Sequence, residues 1–566
     1  MSNSSKFDLW QSKIQQLTRI ALIISVIFFC ISCTEKEPDH SNHPTKNKSL
    51  FTVSQLDGYI NKPDKPFQHY QKFTPEFKIY ETLGSGVAVI DIDNDGRHEI
   101  FFAQFDKNHT TSVLYKIEND KYIDITQQAG LSNLTAIMGA ATADINNDGW
   151  EDILIYGYKQ LHLMLNIEGK FTKFTLPILP ENSFYTSATF FNANNDSYLD
   201  LWLSRYVDMD TGKQTICKGG DGLPHYCAPS ALPFQPDILL FNTQGTAFIP
   251  APKNIIDIAA APALGVVAAD FNNDNMQDIY VANDGQYNYL FTQQSNGSFI
   301  EQAQVKSVAS NLAGLKEASM GIAIGDYDNN GLIDLFLTHV EQETNTLYNN
   351  ESEWFFDVTN RIGPGSGSRA LTGFGTGFYD LNGDNWLDLF VVNGRIQPKP
   401  YQPREDLTEQ FQEIPLLYLN QQGVFDRIEN ISNAKTHAVG RGLAFVDLDN
   451  DGDVDMLSSN NNQQPLIFMN NLNPDQWYGL IIKCFNRVDF GARITYGINN
   501  STTKQTFYRH IHTDGSYASA SDSRVILYLN ANDVLESIQI QYSNQTIKHI
   551  TPPLAANQYT TFNCIE

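Results

Sequence analysis

The chain has 566 residues, 42% of them hydrophobic and 12% aromatic, the composition of a globular protein rather than a disordered one. Its length allows two or more domains, and its formal net charge of −26 excludes a nucleic-acid partner, since nothing here neutralises a phosphate backbone. The acids do not form runs. They recur in short, regularly placed clusters, a distribution that points to cation binding beyond a mere solubility device.

The N-terminus reads as an export signal over residues 1–33. Lys6, Lys13 and Arg19 precede the apolar run "ALIISVIFFCIS" (21–32), which is short for a membrane span. The run ends at "CISC", where a small residue precedes Cys33, and this resembles the bacterial lipoprotein cleavage box. By that resemblance Cys33 is lipidated and the mature chain is tethered at the cell envelope or cell surface. An ordinary signal peptide and an uncleaved anchor are the alternatives. Residues 34–48 are polar and read as a flexible tether.

From residue 49 the chain repeats. Seven acidic clusters align at steps of 48 to 78 residues: "DIDNDGRHE" (91–99), "DINNDGWED" (144–152), "NANNDSYLD" (192–200), "DFNNDNMQD" (270–278), "DYDNNGLID" (326–334), "DLNGDNWLD" (380–388) and "DLDNDGDVD" (447–455). Before most of them stands a Gly/Ala-rich apolar stretch. After each comes a short apolar run, and in the first six a second hairpin follows. Each unit therefore reads as strand, acidic turn, strand, connection, strand, tight turn, strand. Units of this kind predict an all-β, seven-bladed β-propeller over 49–472, its small first-strand residues meeting at a crowded axis. The seventh unit lacks its own fourth strand. "SLFTVSQLDGY" (49–59) looks like one, so residues 50–56 are expected to complete the last blade and remove an open edge.

Position by position the turn is D-x-[DN]-x-D-[GNS]-x-x-[DE], with oxygen-bearing side chains at positions 1, 3, 5 and 9. The expected ligands are Asp91, Asp93, Asp95 and Glu99; Asp144, Asn146, Asp148 and Asp152; Asn192, Asn194, Asp196 and Asp200; Asp270, Asn272, Asp274 and Asp278; Asp326, Asp328, Asn330 and Asp334; Asp380, Asn382, Asp384 and Asp388; and Asp447, Asp449, Asp451 and Asp455. Oxygen-only donors at alternate positions of a tight loop suit a hard cation of Ca²⁺ size, here several structural ions. Position 6 is Gly, Asn or Ser, as a left-handed backbone position would favour. An EF-hand needs an acid at position 12, where these turns carry Phe102, Ile155, Leu203, Val281, Leu337, Val391 and Ser458. The third turn has only two carboxylates, and Ser197 in place of glycine. It is expected to bind weakest or not at all.

Successive turns of an up-and-down blade alternate between faces. The face opposite the acidic turns should carry the long insertion 206–236 and the candidate ligand-face residues Arg205, Asn283, Asp284, His339, Asn393 and Arg395, with Gln104 and Tyr158 nearby. Inter-blade pairing of the arginines and a structural role for His339 are the plain alternatives. An exported chain meets an oxidising compartment, so Cys217 with Cys227 and Cys484 with Cys564 are expected disulfides; for the first pair a metal site is the weaker alternative.

The repeats resemble the FG-GAP/VCBS type of integrin-α propellers. "ETLGSGVAVIDIDNDG" (81–96) and "CKGGDGLPHYCAP" (217–229) look like the bacterial relatives of cartilage acidic protein. "WYGLIIK", "GARITYG" (491–497) and "HTDGSYASASDSRVILYL" (512–529) resemble the ASPIC/UnbV domain that ends those proteins. The resemblance implies a small β-rich, sandwich-like C-terminal domain over 473–566, and an extracytoplasmic calcium-binding protein. There is no HExxH, G-x-S-x-G or P-loop, so no catalytic residue is named. The expected function is a monomeric, membrane-tethered binding or adhesion module for a protein or glycan at the cell surface. The alternative is a propeller enzyme, a hydrolase or cyclising enzyme, with its site at the pore mouth opposite the calcium loops.

Overall fold

The structure is a computed structural model. It describes residues 49–56, 66–71, 78–106, 111–118, 121–210, 217–218, 222, 224–397, 407–432, 434–499 and 503–564. The expected signal, tether and Cys33 lie outside these residues.

Among the described residues, the alternating pattern of the repeats folds into seven antiparallel sheets of four strands, the fourth with Glu317–Ala318 added as a fifth, each ordered from the first strand outward. Their first strands are Val87–Ile90, Ile137–Ala143, Tyr185–Phe191, Ala263–Ala269, Ile322–Gly325, Gly373–Tyr379 and Gly440–Val446. These strands are buried almost throughout. They touch in chain order, and the seventh also touches the first, so the arrangement is propeller-like. Phe51–Gln55 forms the outer strand of the seventh sheet, pairing antiparallel with Leu466–Asn470. Closure thus uses the chain's beginning, as the truncated seventh repeat predicts. Phe51 is fully buried and packs edge-on against Phe390 and Phe468, so the seam is apolar as well as hydrogen-bonded.

Residues beyond 472 form two more four-stranded sheets. One holds Trp477–Cys484, Arg487–Val488, Val525–Tyr528 and Tyr559–Asn563; the other holds Arg493–Asn499, Lys504–His510, Val534–Gln541 and Ile547–Ile550. Leu480, Ile482, Ile494, Tyr496, Ile538 and Ile540 share one core. Ser49–Glu566 is one compact unit, and the reason is a loop that enters the ring.

That loop, residues 513–522, hydrogen-bonds to the innermost strand of every one of the seven sheets. Ala520 donates to Val87 O (3.1 Å) and Thr513 to Thr142 O (3.4 Å). Asp514 accepts from the Thr189 hydroxyl (2.6 Å) and the Ala268 amide (2.9 Å). Ser516 donates its amide to Ile322 O (2.6 Å), and its hydroxyl accepts from the Thr376 amide (3.2 Å). Asp522 donates to Phe445 O (2.9 Å). The small residues of the first strands now have a specific cause. A Cβ on Gly86 would lie 1.9 Å, and one on Gly139 2.1 Å, from Ala518 O.

Both expected disulfides are present, with Cα–Cα distances of 5.2 Å for Cys217–Cys227 and 5.0 Å for Cys484–Cys564. The second joins the first and last strands of the C-terminal sheets, which also pair in parallel. Closing a loop of 80 residues, it is expected to contribute about 4 kcal/mol by the chain-entropy model. The double variant Cys484→Ser/Cys564→Ser should show this loss in a urea titration followed by near-UV circular dichroism.

Candidate metal centres

The acidic turns owe their shape to two left-handed residues, not one. Position 6 is left-handed in six turns, with Gly96, Gly149, Asn275, Gly331, Asn385 and Gly452 all at positive φ, while Ser197 is not. Position 4 is left-handed in all seven, as Asn94, Asn147, Asn195, Asn273, Asn329, Gly383 and Asn450. The second signal was present in the repeats: position 4 is Asn or Gly in every copy, the residue types that tolerate this backbone.

The two kinks aim backbone amides inward. In six turns the position 1 carboxylate accepts the amides of positions 5 and 6, as Asp91 does from Asp95 (3.1 Å) and Gly96 (3.0 Å), and Asp326 from Asn330 (3.0 Å) and Gly331 (2.7 Å). In the third turn, Asn192 instead donates its side-chain amide to Asp196 O (2.6 Å). The position 9 acid is buried in every turn and accepts the amide of position 2, as Asp334 does from Tyr327 (3.1 Å) and Asp455 from Leu448 (3.0 Å).

From the second sheet onward the same acid also accepts an amide from the end of the third strand: Asn166, Asn242, Gln293, Asn350, Asn420 or Asn470, at 2.7–2.9 Å. The side chain of that Asn or Gln donates to the position 2 carbonyl of an earlier sheet's turn. Asn166 reaches Ile92 O (2.9 Å) and Asn470 reaches Leu381 O (3.0 Å). This recurring amide was legible in the hairpins, but its purpose was not, because its partner lies in another sheet.

Three turns bring carboxylate oxygens within 4.8 Å of one another: Asp91, Asp93 and Glu99; Asp326, Asp328 and Asp334; and Asp447, Asp449 and Asp455. Their donors are oxygen only, which fits a hard divalent cation. Burial pushes Asp152 up to about 8 and Asp200 up to about 7, and pushes Asp278, Asp334, Asp388 and Asp455 well above the usual carboxylate range. Burial thus disfavours the ionised form, and ionising these acids calls for a positive partner. Among the described residues, Lys116 is the one cationic side chain ion-paired to a ligand-position carboxylate. It contacts Asp93, Asp95 (3.1 Å) and Glu99 (3.7 Å). Burial opposes the Lys116 charge, yet these partners lift its pKa above the usual lysine value.

The C-terminal sheets cover the acidic-turn face. Arg524 donates to Asp447 O (3.0 Å), Gly96 O (3.2 Å) and Asn450 Oδ1 (2.8 Å) while pairing with Asp522 (2.7 Å). The Tyr559 hydroxyl donates to Asp447 Oδ2 (2.6 Å), Arg509 reaches Asn385 O (2.8 Å) and Arg493 reaches Asn273 Oδ1 (3.0 Å).

The candidate ligand-face residues do not converge. Asn283 and Asn393 are buried and tie down their own connections, donating to Tyr287 O and Ile414 O at 2.8 Å each. His339 is buried 3.5 Å from Glu317, and burial lowers it to about 3. Arg205 donates its amide to Asp237, Asp284 accepts from the Tyr206 hydroxyl (2.6 Å), and Arg395 pairs with Glu341 and Glu413. Tyr158 donates to Asp210 (2.8 Å), and Gln104 accepts the Tyr70 amide (3.1 Å). The disulfide insertion reaches across from the third sheet. Tyr226 packs with Phe411 and Val439 and contacts Glu81 (3.2 Å). Sequence reasoning missed Arg441, fully buried near the axis. It donates to Thr82 O (2.7 Å), Gly394 O (2.8 Å) and Gly440 O (2.7 Å) and lies 3.9 Å over the Phe374 ring.

The FG-GAP-like repeat family matches residues 91–155, 144–203, 270–337 and 326–391, each match opening on an acidic turn. Human cartilage acidic protein 1 is 23% identical over 428 residues, covering 66% of this chain and 60% of that protein. The Xenopus tropicalis protein of the same name is 23% identical over 360 residues, covering 58% of this chain and 52% of its own. The chain thus spans between half and two thirds of the curated relatives it matches. Among solved structures, an Agrocybe aegerita lectin described as recognising non-reducing terminal N-acetylglucosamine aligns at a TM-score of 0.36 and 14% identity, over 67% of this chain and 85% of the lectin. YCF48 bound to D1 peptide aligns at 0.40 and 8% identity, over 76% of this chain and 97% of that one. An all-β chain of repeated four-stranded sheets, it carries FG-GAP-like repeats and is a relative, at modest identity, of cartilage acidic protein 1.

Proposed function

We propose that this chain is a calcium-stabilised, seven-bladed β-propeller with an ASPIC/UnbV-like terminal domain packed on it, and that it works as a binding or adhesion module outside the cytoplasm. The observation that carries the reading is the pair of carboxylate clusters at Asp326, Asp328 and Asp334 and at Asp447, Asp449 and Asp455. Their oxygens lie within 4.8 Å of one another, and no cationic side chain among the described residues is ion-paired to them. Calcium balances this charge, and the apo turns would otherwise repel. An ion that binds the folded state alone raises stability by mass action, about 2.7 kcal/mol at a hundredfold excess over Kd. The melting temperature of the purified full chain should therefore rise by several degrees in millimolar calcium and fall in EDTA. Identical melts would sink the calcium reading.

The acidic-turn face is occupied by the C-terminal sheets, which leaves the opposite face for a partner, a protein or glycan at the cell surface. The insertion 206–236, stapled by Cys217–Cys227, is the longest loop there, and loops on a rigid scaffold commonly carry recognition. Both disulfides suit an oxidising compartment. A lipid on Cys33 would hold the monomer at the envelope. A pull-down from the native surface should retain the partner on wild-type bait and lose it on Cys217→Ser/Cys227→Ser bait of unchanged melting temperature. Equal retention by both would remove the insertion from the binding face.

A further inference from the structure

The first acidic turn departs from the other six in three linked ways. Its position 9 acid is Glu99, where the others have Asp. The third-strand slot filled elsewhere by Asn or Gln is Ile117, by the register that pairs Ile100 with Tyr115 as it pairs Ile153 with Met164 two residues before Asn166. The residue between is Lys116, whose counterparts are Leu165, Phe241, Thr292, Asn349, Leu419 and Met469.

These differences fit one another. Ile117 has no carboxamide to bond another sheet's turn, and among the described residues no third-strand amide reaches Glu99 as the Asn166 amide reaches Asp152. The longer Glu99 keeps the Ile92 amide on one oxygen (2.9 Å) and turns the other toward the Lys116 ammonium (3.7 Å). That ammonium also contacts Asp93 and lies 3.1 Å from Asp95, so it touches the position 3, 5 and 9 side chains that a cation would bridge. Its side chain is only 17% exposed. In the fifth turn, Asn349 at the same slot donates a neutral amide to Asp328 (2.8 Å) and leaves the charge uncompensated.

We infer that the first turn is closed by Lys116 in place of a divalent ion, so one of the two repeats that match the calcium pattern with four carboxylates holds no calcium. Charge count along the sequence ranks this turn with the seventh; the geometry separates them. Calcium would have to expel an ammonium held by three carboxylates, whereas in the seventh turn nothing cationic stands on Asp449, Asp451 or Asp455 among the described residues.

The inference rests on the calcium reading for its contrast with the other turns, and the test separates the two. Calcium bound per full chain is counted by equilibrium dialysis and atomic emission. Asp93→Asn should leave the count unchanged, Asp328→Asn and Asp449→Asn should each lower it by one ion, and Lys116→Met should raise it by one. A count lowered by Asp93→Asn, or not raised by a folded Lys116→Met variant, overturns the inference. Counts that ignore Asp328→Asn and Asp449→Asn overturn the calcium reading instead. Acetic anhydride labelling of the wild type, read by mass spectrometry, judges Lys116 whether or not the variant folds. Its modification should be equally slow with and without calcium and rise in Asp93→Asn/Asp95→Asn. Labelling that increases on adding calcium overturns the inference.

Discussion

Asp455→Ala should destabilise the chelator-treated protein by about 4 kcal/mol relative to wild type, and Asp455→Asn by about half as much. The buried carboxylate accepts the amides of Leu448 (3.0 Å) and Asn470 (2.8 Å), and an unsatisfied buried donor costs about 1–3 kcal/mol. Asparagine keeps the volume and one acceptor; alanine keeps neither. Losing Asn470 also frees its side chain from Leu381 O, so the damage spreads to the sixth sheet. In calcium both variants should lose part of the metal-induced rise in melting temperature. Urea titrations with and without EDTA separate the two contributions. An alanine variant as stable as the asparagine one would show that this acid does not organise the turn.

Tyr517→Ala should cost about 4 kcal/mol, the usual range for deleting a large buried ring, and should uncouple the C-terminal sheets from the ring. Tyr517 is fully buried, donates to Leu83 O (3.0 Å) and meets Phe374 edge-on at 4.9 Å. Gly139→Val tests the same packing from the other side, because its side chain would fall on the Ala518 carbonyl. Scanning calorimetry should show a lower melting temperature and a second transition in both variants. A single transition at the wild-type temperature would mean that residues 513–522 do not hold the axis together. Residues 513–522 bond to the first strand of each repeat sheet, and Arg441 of the seventh first strand is buried against Phe374. The side chains of Asp284, His339 and Arg395 contact separate partners, and Arg205 is held to Asp237 through its main-chain amide.

Much of this protein is written locally. Strand alternation, the seven turns and their oxygen donors depend on residues within a few positions of one another, because turn geometry and amide-to-carboxylate bonds close over that span. The missing strand of the last sheet was legible for a related reason: a truncated repeat and a matching orphan segment complement each other. The second left-handed position was equally present as Asn or Gly at every position 4. What the tertiary structure alone decided joins residues far apart in the chain. Thr513 meets Thr142, Ala520 meets Val87, and Lys116 folds back over Asp93 from another strand. No periodicity announces such contacts, since each occurs once and its energy depends on which sheets lie side by side. The fate of the first turn follows from this: four carboxylates in a row spell a cation site, but only packing shows that the positive charge is already supplied by the chain.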